Sequence, residues 1–167
     1  MSMNEVRLVS EQRERLLRDV WISHDGQWVL KTVQEFGFDA ANKLNQAVAR
    51  SLGKIEIKRL MAATKWGEIK DAEDFKRLLA IACDLYMPEE HKYEIEQFQD
   101  NSVLGRVLEC YVYKNVSKAG ATTYFRCAAK SRFTSWLEGC ALKREVIAER
   151  DMDNCKGTCE ITFKIRW

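Results

Sequence analysis

The spacing of apolar residues changes once along this chain, and that change constrains the fold more than any other feature. As far as the single proline, Pro88, apolar side chains recur every third or fourth residue, the repeat of a helix with one buried face. Beyond Pro88 most of them recur every second residue, the repeat of a strand covered on one side. A chain with these two halves in this order has to pack helices against a sheet, and antiparallel pairing is the simplest way to join short successive strands.

In the first half, Ser10 to about Trp21 reads as a helix capped by a serine hydroxyl, and "SHDGQWVLKTVQEFG" as a second one that stops at Gly37. Asp39 caps a third, in which Ala41, Leu44, Val48, Leu52 and Ile55 recur at steps of three and four, with Gly53 as a candidate kink. A fourth starts at Asp71 and Asp74 and carries Phe75, Leu78, Leu79, Ala82, Leu85 and Tyr86. In the second half "HKYEIEQF" and "VLGRVLECYVY" flank the turn-forming "QDNS" and predict a hairpin. "FRCAAKSRFTSWLEGC" returns to helical spacing, and "REVIAER" and "CEITFKIRW" close the chain as strands. The last places Cys159, Ile161, Phe163, Ile165 and Trp167 on one face. The expectation is one α+β domain, helical over 1–88 and, over 89–167, an antiparallel sheet in strand-strand-helix-strand-strand order.

At 167 residues such a domain buries roughly 70% of its unfolded surface, so a cleft between the two halves is affordable. A net charge of +2 argues against nucleic acid as a partner and against an anionic membrane surface. The charge is uneven: Glu68–Asp100 has ten acidic and four basic residues, Lys114–Arg150 eight basic and three acidic, which implies faces of opposite sign. With a charged start and no apolar leader or spanning segment, the expected compartment is the cytoplasm, where six irregularly spaced cysteines are thiols or metal ligands, not disulfides.

Cys155 and Cys159 lie about 13 Å apart if they share an unbroken strand, too far to share a metal. A turn at Lys156-Gly157 brings them together, and Cys127, Asp151 or Asp153 then completes a zinc site. The competing reading is that these cysteines are small buried hydrophobes. Elsewhere, His24 and Asp25 precede Trp28, and Asp25 and Glu35 fall on nearly the same helical face, a candidate carboxylate pair for general-base work. Asn42, Asn45, Ala49, Gly53 and Glu56 form a stripe, polar at its ends and small in its middle, suited to close helix packing or to lining a pocket. Trp136 is a core residue or a ligand platform. No phosphate-binding glycine loop, dinucleotide fingerprint, H-E-x-x-H or G-x-S-x-G is present.

The phrases "HDGQWVLKTVQEFGFDAANKLN" and "RSLGKIEIKRLM" resemble an uncharacterised family of prokaryotic cytosolic proteins. More distantly the chain is similar to L-2-aminothiazoline-4-carboxylate hydrolase-like families and to vinyl-reductase-type small-molecule-binding domains. That resemblance implies an internal ligand cavity, and it implies zinc ligands near the C-terminus, for which Cys127, Cys155 and Cys159 are the nearest positions. Two functions are therefore expected as alternatives. One is a small-molecule-binding domain using His24, Trp28, Asn45, Glu56 and Trp136. The other is a hydrolase of a small cyclic amide or amidine, with Asp25 or Glu35 as base, directly or through a metal-bound water. A homodimer is the simplest assembly.

Overall fold

The structure, a computed structural model, describes residues 7–140, 142–147 and 155–166. Asp151, Asp153 and Trp167 fall outside the described residues, as does the end of the "REVIAER" segment.

The first two expected helices are fused, and with the third they make up α1 (Ser10–Thr64), two helical segments that meet at a kink. Ser23 and Asp25 lie inside it, because Ser, His and Asp favour caps but do not break a helix where no proline stands and Gly26 is the one weak residue beside them. Ser10 is its first residue and not its cap; Val9 holds that position, its N–H donating to Gln12 Oε1 at 3.3 Å. The break at Gly37 is present. There φ is +80° and ψ 172°, a conformation essentially reserved for glycine, and it divides α1 into two segments. Helix α2 (Ala72–Tyr86) begins as its sequence predicts, with the Asp71 carboxylate accepting the Asp74 N–H at 2.8 Å.

Strands β1 (Lys92–Gln97) and β2 (Ser102–Glu109) form the expected hairpin. Asn101 takes a left-handed φ of +62° in its turn, and Asp100 accepts both the N–H and the hydroxyl of Ser102, which holds the Asp100 carboxyl below its ordinary range. The strand reading overran at Glu109: Tyr111–Lys118 is a helix, α3, so the alternation in "ECYVY" is coincidental with one helical turn. Then follow α4 (Ala129–Gly139), β3 (Lys143–Ile147) and β4 (Cys159–Arg166). All strand pairings are antiparallel, in the order β1-β2-β4-β3. The fold is α+β, with helices on one face of the sheet.

The core lies where α2, α4 and the second segment of α1 meet that face. Phe75 and Phe133 both pack edge-on against Phe163 of β4, and Phe133 packs edge-on against Trp136. On the other face Arg106 of β2 reaches Glu160 on β4 at 2.7 Å and Glu96 and Glu94 on β1 at 3.0 and 3.4 Å, a charge ladder across three strands. Among the described residues no helix is long and apolar enough to cross a membrane.

Candidate ligand-binding site

A shallow recess opens between the end of α2 and the sheet, with a cavity volume of about 30 Å³. Leu79, Cys83 and Met87 of α2 and its following turn face Tyr93, Phe133 and Phe163 across it, so its walls are almost entirely apolar. His91 and Arg106 stand among the residues around it.

The polar groups around this space are held neutral or already engaged. Burial pushes the Cys83 thiol up to about 12, with Arg132 opposing and Asp84 adding to the rise. Burial also raises Tyr93 to about 12, helped by Cys83 and Asp84. His91 is lowered, first by burial and then by the Arg132 charge. Its Nδ1 accepts the Tyr111 N–H at 3.4 Å, which assigns the proton of the neutral ring to Nε2. Arg106 is committed to three carboxylates, its bond to Glu160 being the largest cause of a raised pKa.

Behind the recess the α1 stripe becomes a staple between helices. Glu56 is only 5% exposed, yet its carboxylate is fully partnered: Arg132 Nε donates at 2.9 Å, Arg132 Nη2 donates to the other oxygen, and Trp136 Nε1 donates at 2.8 Å. The Arg132 guanidinium also lies over the Trp136 ring, 5.5 Å from its centroid. Tyr86 of α2 donates its hydroxyl to the Glu56 carbonyl at 3.0 Å. Further along, Asn42 donates to the Tyr124 carbonyl at 2.8 Å and accepts the Arg126 N–H at 2.9 Å, tying α1 to the segment before α4. Gly53 between them does not kink the helix. A Cβ there would sit 2.7 Å from the Arg132 carbonyl and 2.9 Å from Ser135 Cβ, so the glycine permits α4 to approach.

Of the residues singled out from sequence, Glu56 and Trp136 are thus brought into contact, while Asn45 is half-buried on the same stripe. His24 and Trp28 are exposed in the first segment of α1, where Trp28 Nε1 donates to His24 Nε2 at 3.1 Å and Trp21 stacks on the other side. Asp25 and Glu35 are exposed on the same segment, ten residues and therefore roughly 15 Å apart along the helix, and neither lines the recess.

Of the expected zinc ligands, Cys127 is coupled electrostatically to Cys155 and also to Cys110. Cys159 is buried on β4 opposite Val107. The turn between Cys155 and Cys159 exists, with Gly157 at φ +87°. His91 escapes the sequence reading, which gives Cys83 and Cys110 only as small buried hydrophobes. Cys83 sits beside the apolar stripe of α2, which was a usable signal, whereas nothing local marks His91 or Cys110. Among the described residues no group of three His, Cys, Asp or Glu side chains stands at metal-binding spacing.

Comparison with known proteins places the chain in a family. Residues 7–135 match the family of unknown function DUF6125. The chain belongs to DUF6125. No curated protein matches it. Among solved structures this DUF6125 member is similar to a trafficking protein particle complex subunit 3 from Naegleria fowleri covalently bound to palmitic acid, with a TM-score of 0.57, 12% identity, and coverage of 95% of this chain and 98% of that one. It is also similar, at a TM-score of 0.47 and 12% identity, to an H-NOX protein from S. oneidensis in the Fe(II)NO state, over 91% of this chain and 96% of that one.

Proposed function

We propose that this DUF6125 member is a small-molecule-binding domain whose ligand is an uncharged apolar molecule or acyl chain seated, without a covalent bond, in the recess between α2 and the sheet. The observation that carries this reading is the near absence of available polarity in the recess: its walls are apolar, His91 is held toward its neutral form and Arg106 is spent on Glu94, Glu96 and Glu160. The cavity itself is only about 30 Å³, so a ligand enters by moving apart the apolar side chains that line it. The similar fold of a protein bound to palmitic acid is consistent with an acyl chain. A thioester to Cys83 is not part of the proposal, because a thiol pushed up to about 12 is protonated at neutral pH and the thiolate is the nucleophile.

Calorimetric titration with a series of fatty acids and the matching fatty alcohols tests this. Acid and alcohol of one chain length should bind within about threefold of each other, since Arg106, the cation among the described residues around the recess, is already paired with carboxylates, and Cys83→Trp should abolish binding by filling the space. Absence of binding across the series, or a strong preference for the carboxylate, defeats it. The reading is one of binding and not of turnover, in keeping with the exposed positions of Asp25 and Glu35.

We further propose that the partner of this domain is a second copy of itself, joined through the first segment of α1. Leu17, Val20, Trp21 and Trp28 are 53–65% exposed on one helical face that also carries Arg13, His24 and Glu35. Antiparallel pairing about His24 sets Arg13 of each copy against Glu35 of the other and Val20 against Trp28 along roughly 33 Å of helix. Light scattering should give twice the monomer mass, and Trp21→Glu with Trp28→Glu should give a folded monomer; a wild-type monomer at high concentration rules it out.

A further inference from the structure

One position on the helix-facing side of the sheet carries no side chain. Register places Gly105 of β2 between Ile95 on β1 and Ile161 on β4. Alternation along β2 puts Val103 and Val107 on the same face, before and after it. All four neighbours are apolar, and Val103 and Ile161 are buried in the core. Gly105, Ile95, Val107 and Ile161 line the recess, so the gap left by the glycine forms part of its floor.

Neither the backbone nor the packing requires glycine there. Gly37 has a positive φ, and Gly53 is crowded by α4. Gly105 has no positive φ, and a Cβ built on it would meet Phe163 Cε2 at 3.7 Å and the Ile161 carbonyl at 3.9 Å, both ordinary contact distances. Glycine within a paired strand weakens it, because it has more freedom to lose on folding and nothing to pack. A residue that costs stability and answers no steric demand contributes space, and this space opens into the recess.

The size of the gap limits what can fill it. Neighbouring strands stand about 4.8 Å apart, and same-face residues on one strand about 7 Å apart. A gap bounded on four sides at those distances is one side chain wide. It suits the end of a single hydrocarbon chain and excludes a fused ring system or a branched terminus. We propose that Gly105 is the specificity-determining residue of the recess, its missing side chain receiving the methyl end of one unbranched hydrocarbon chain. This inference rests on the binding role proposed above and adds to it the shape of the ligand. The chain end then lies between Ile95 and Ile161, in the place a side chain of β2 would otherwise take.

The experiment titrates the full chain calorimetrically with straight-chain fatty alcohols of graded length, and with counterparts of equal carbon number that end in a tert-butyl group. The wild-type chain should bind the straight alcohols at least tenfold more tightly than the branched ones. Gly105→Ala should weaken the best straight alcohol about fourfold, the worth of one methylene, and move the preferred length down by one or two carbons. Gly105→Val should weaken it at least tenfold. Gly67→Ala, outside the recess, should leave the affinity within twofold. A second readout needs no ligand: Gly105→Ala should melt no lower than the wild-type chain, because its methyl meets only ordinary contacts. Absence of binding by the wild-type chain refutes the binding role and this inference with it. Where the wild-type chain binds, equal affinity for straight and branched alcohols, unchanged affinity in both Gly105 variants, or a lower melting temperature for Gly105→Ala refutes the Gly105 assignment alone.

Discussion

At the residue scale, Glu56 shows how much depends on a single buried charge. Its carboxylate receives donors from Arg132 and Trp136, so its removal leaves a guanidinium and an indole N–H without their acceptor. Glu56→Ala is expected to cost about 3–5 kcal/mol, the range for breaking a buried pair from one side. Replacing both partners, as Glu56→Leu with Arg132→Leu, should cost less than the single change, and urea denaturation of the variants measures the difference. The titrating groups of the recess make a second prediction. The folded-state pKa of His91 is lowered, so its contribution is present above the ordinary histidine value of 6.5 and lost as pH falls through the folded value. His91→Gln should therefore flatten the loss of stability on the acid side of neutrality. Cys83 has the opposite sign: its folded pKa is raised from 9.0 to about 12, so its contribution is present below 9 and declines as pH rises toward 12. Cys83→Ala should make the melting temperature fall less steeply over that alkaline window.

At the scale of elements, much was legible from spacing alone. The Asp71 cap, the α2 stripe, the hairpin turn and the alternation of β4 all stand where short-range chemistry places them, because each depends on residues within a few positions of one another. The junction of the first two expected helices was misplaced for the same reason: "SHD" has local cap chemistry, and only the continuity of α1 overrides it. Glu56 and Trp136 were visible as polar and aromatic positions on stripes, but their meeting spans 80 residues and no spacing rule reaches that far. The same applies to Cys110, whose relation to the Cys155 turn is a tertiary fact. Two glycines of α1 separate backbone need from space. Gly37→Ala should cost about 1–3 kcal/mol because its φ and ψ are closed to side chains, although nothing lies near it. Gly53→Ala has ordinary helical geometry and should cost a similar amount, about 1–3 kcal/mol, because the new methyl meets the α4 backbone. Gly67→Ala, in open space without a positive φ, is the control in the same thermal melts and should change little.

At the scale of the whole molecule, the strand order β1-β2-β4-β3 means that the last described strand lies in the interior of the sheet. β4 carries Ile161, Phe163 and Ile165 into the core, where Phe163 meets both Phe75 and Phe133. While the chain is being made, α1, α2 and the hairpin can assemble early, but the inner edge of β2 remains bare until residue 166 has left the ribosomal tunnel. Nascent chains arrested before Cys159 are therefore expected to be cut rapidly by added protease, whereas chains in which β4 through Arg166 has cleared the tunnel resist it, and a pulse of protease on stalled complexes measures the change. Such an exposed edge is also what a holdase or a neighbouring nascent chain recognises. The price of placing β4, made after the other described strands, in the middle of the sheet is a period of vulnerability during synthesis, ended only when it slots between β2 and β3.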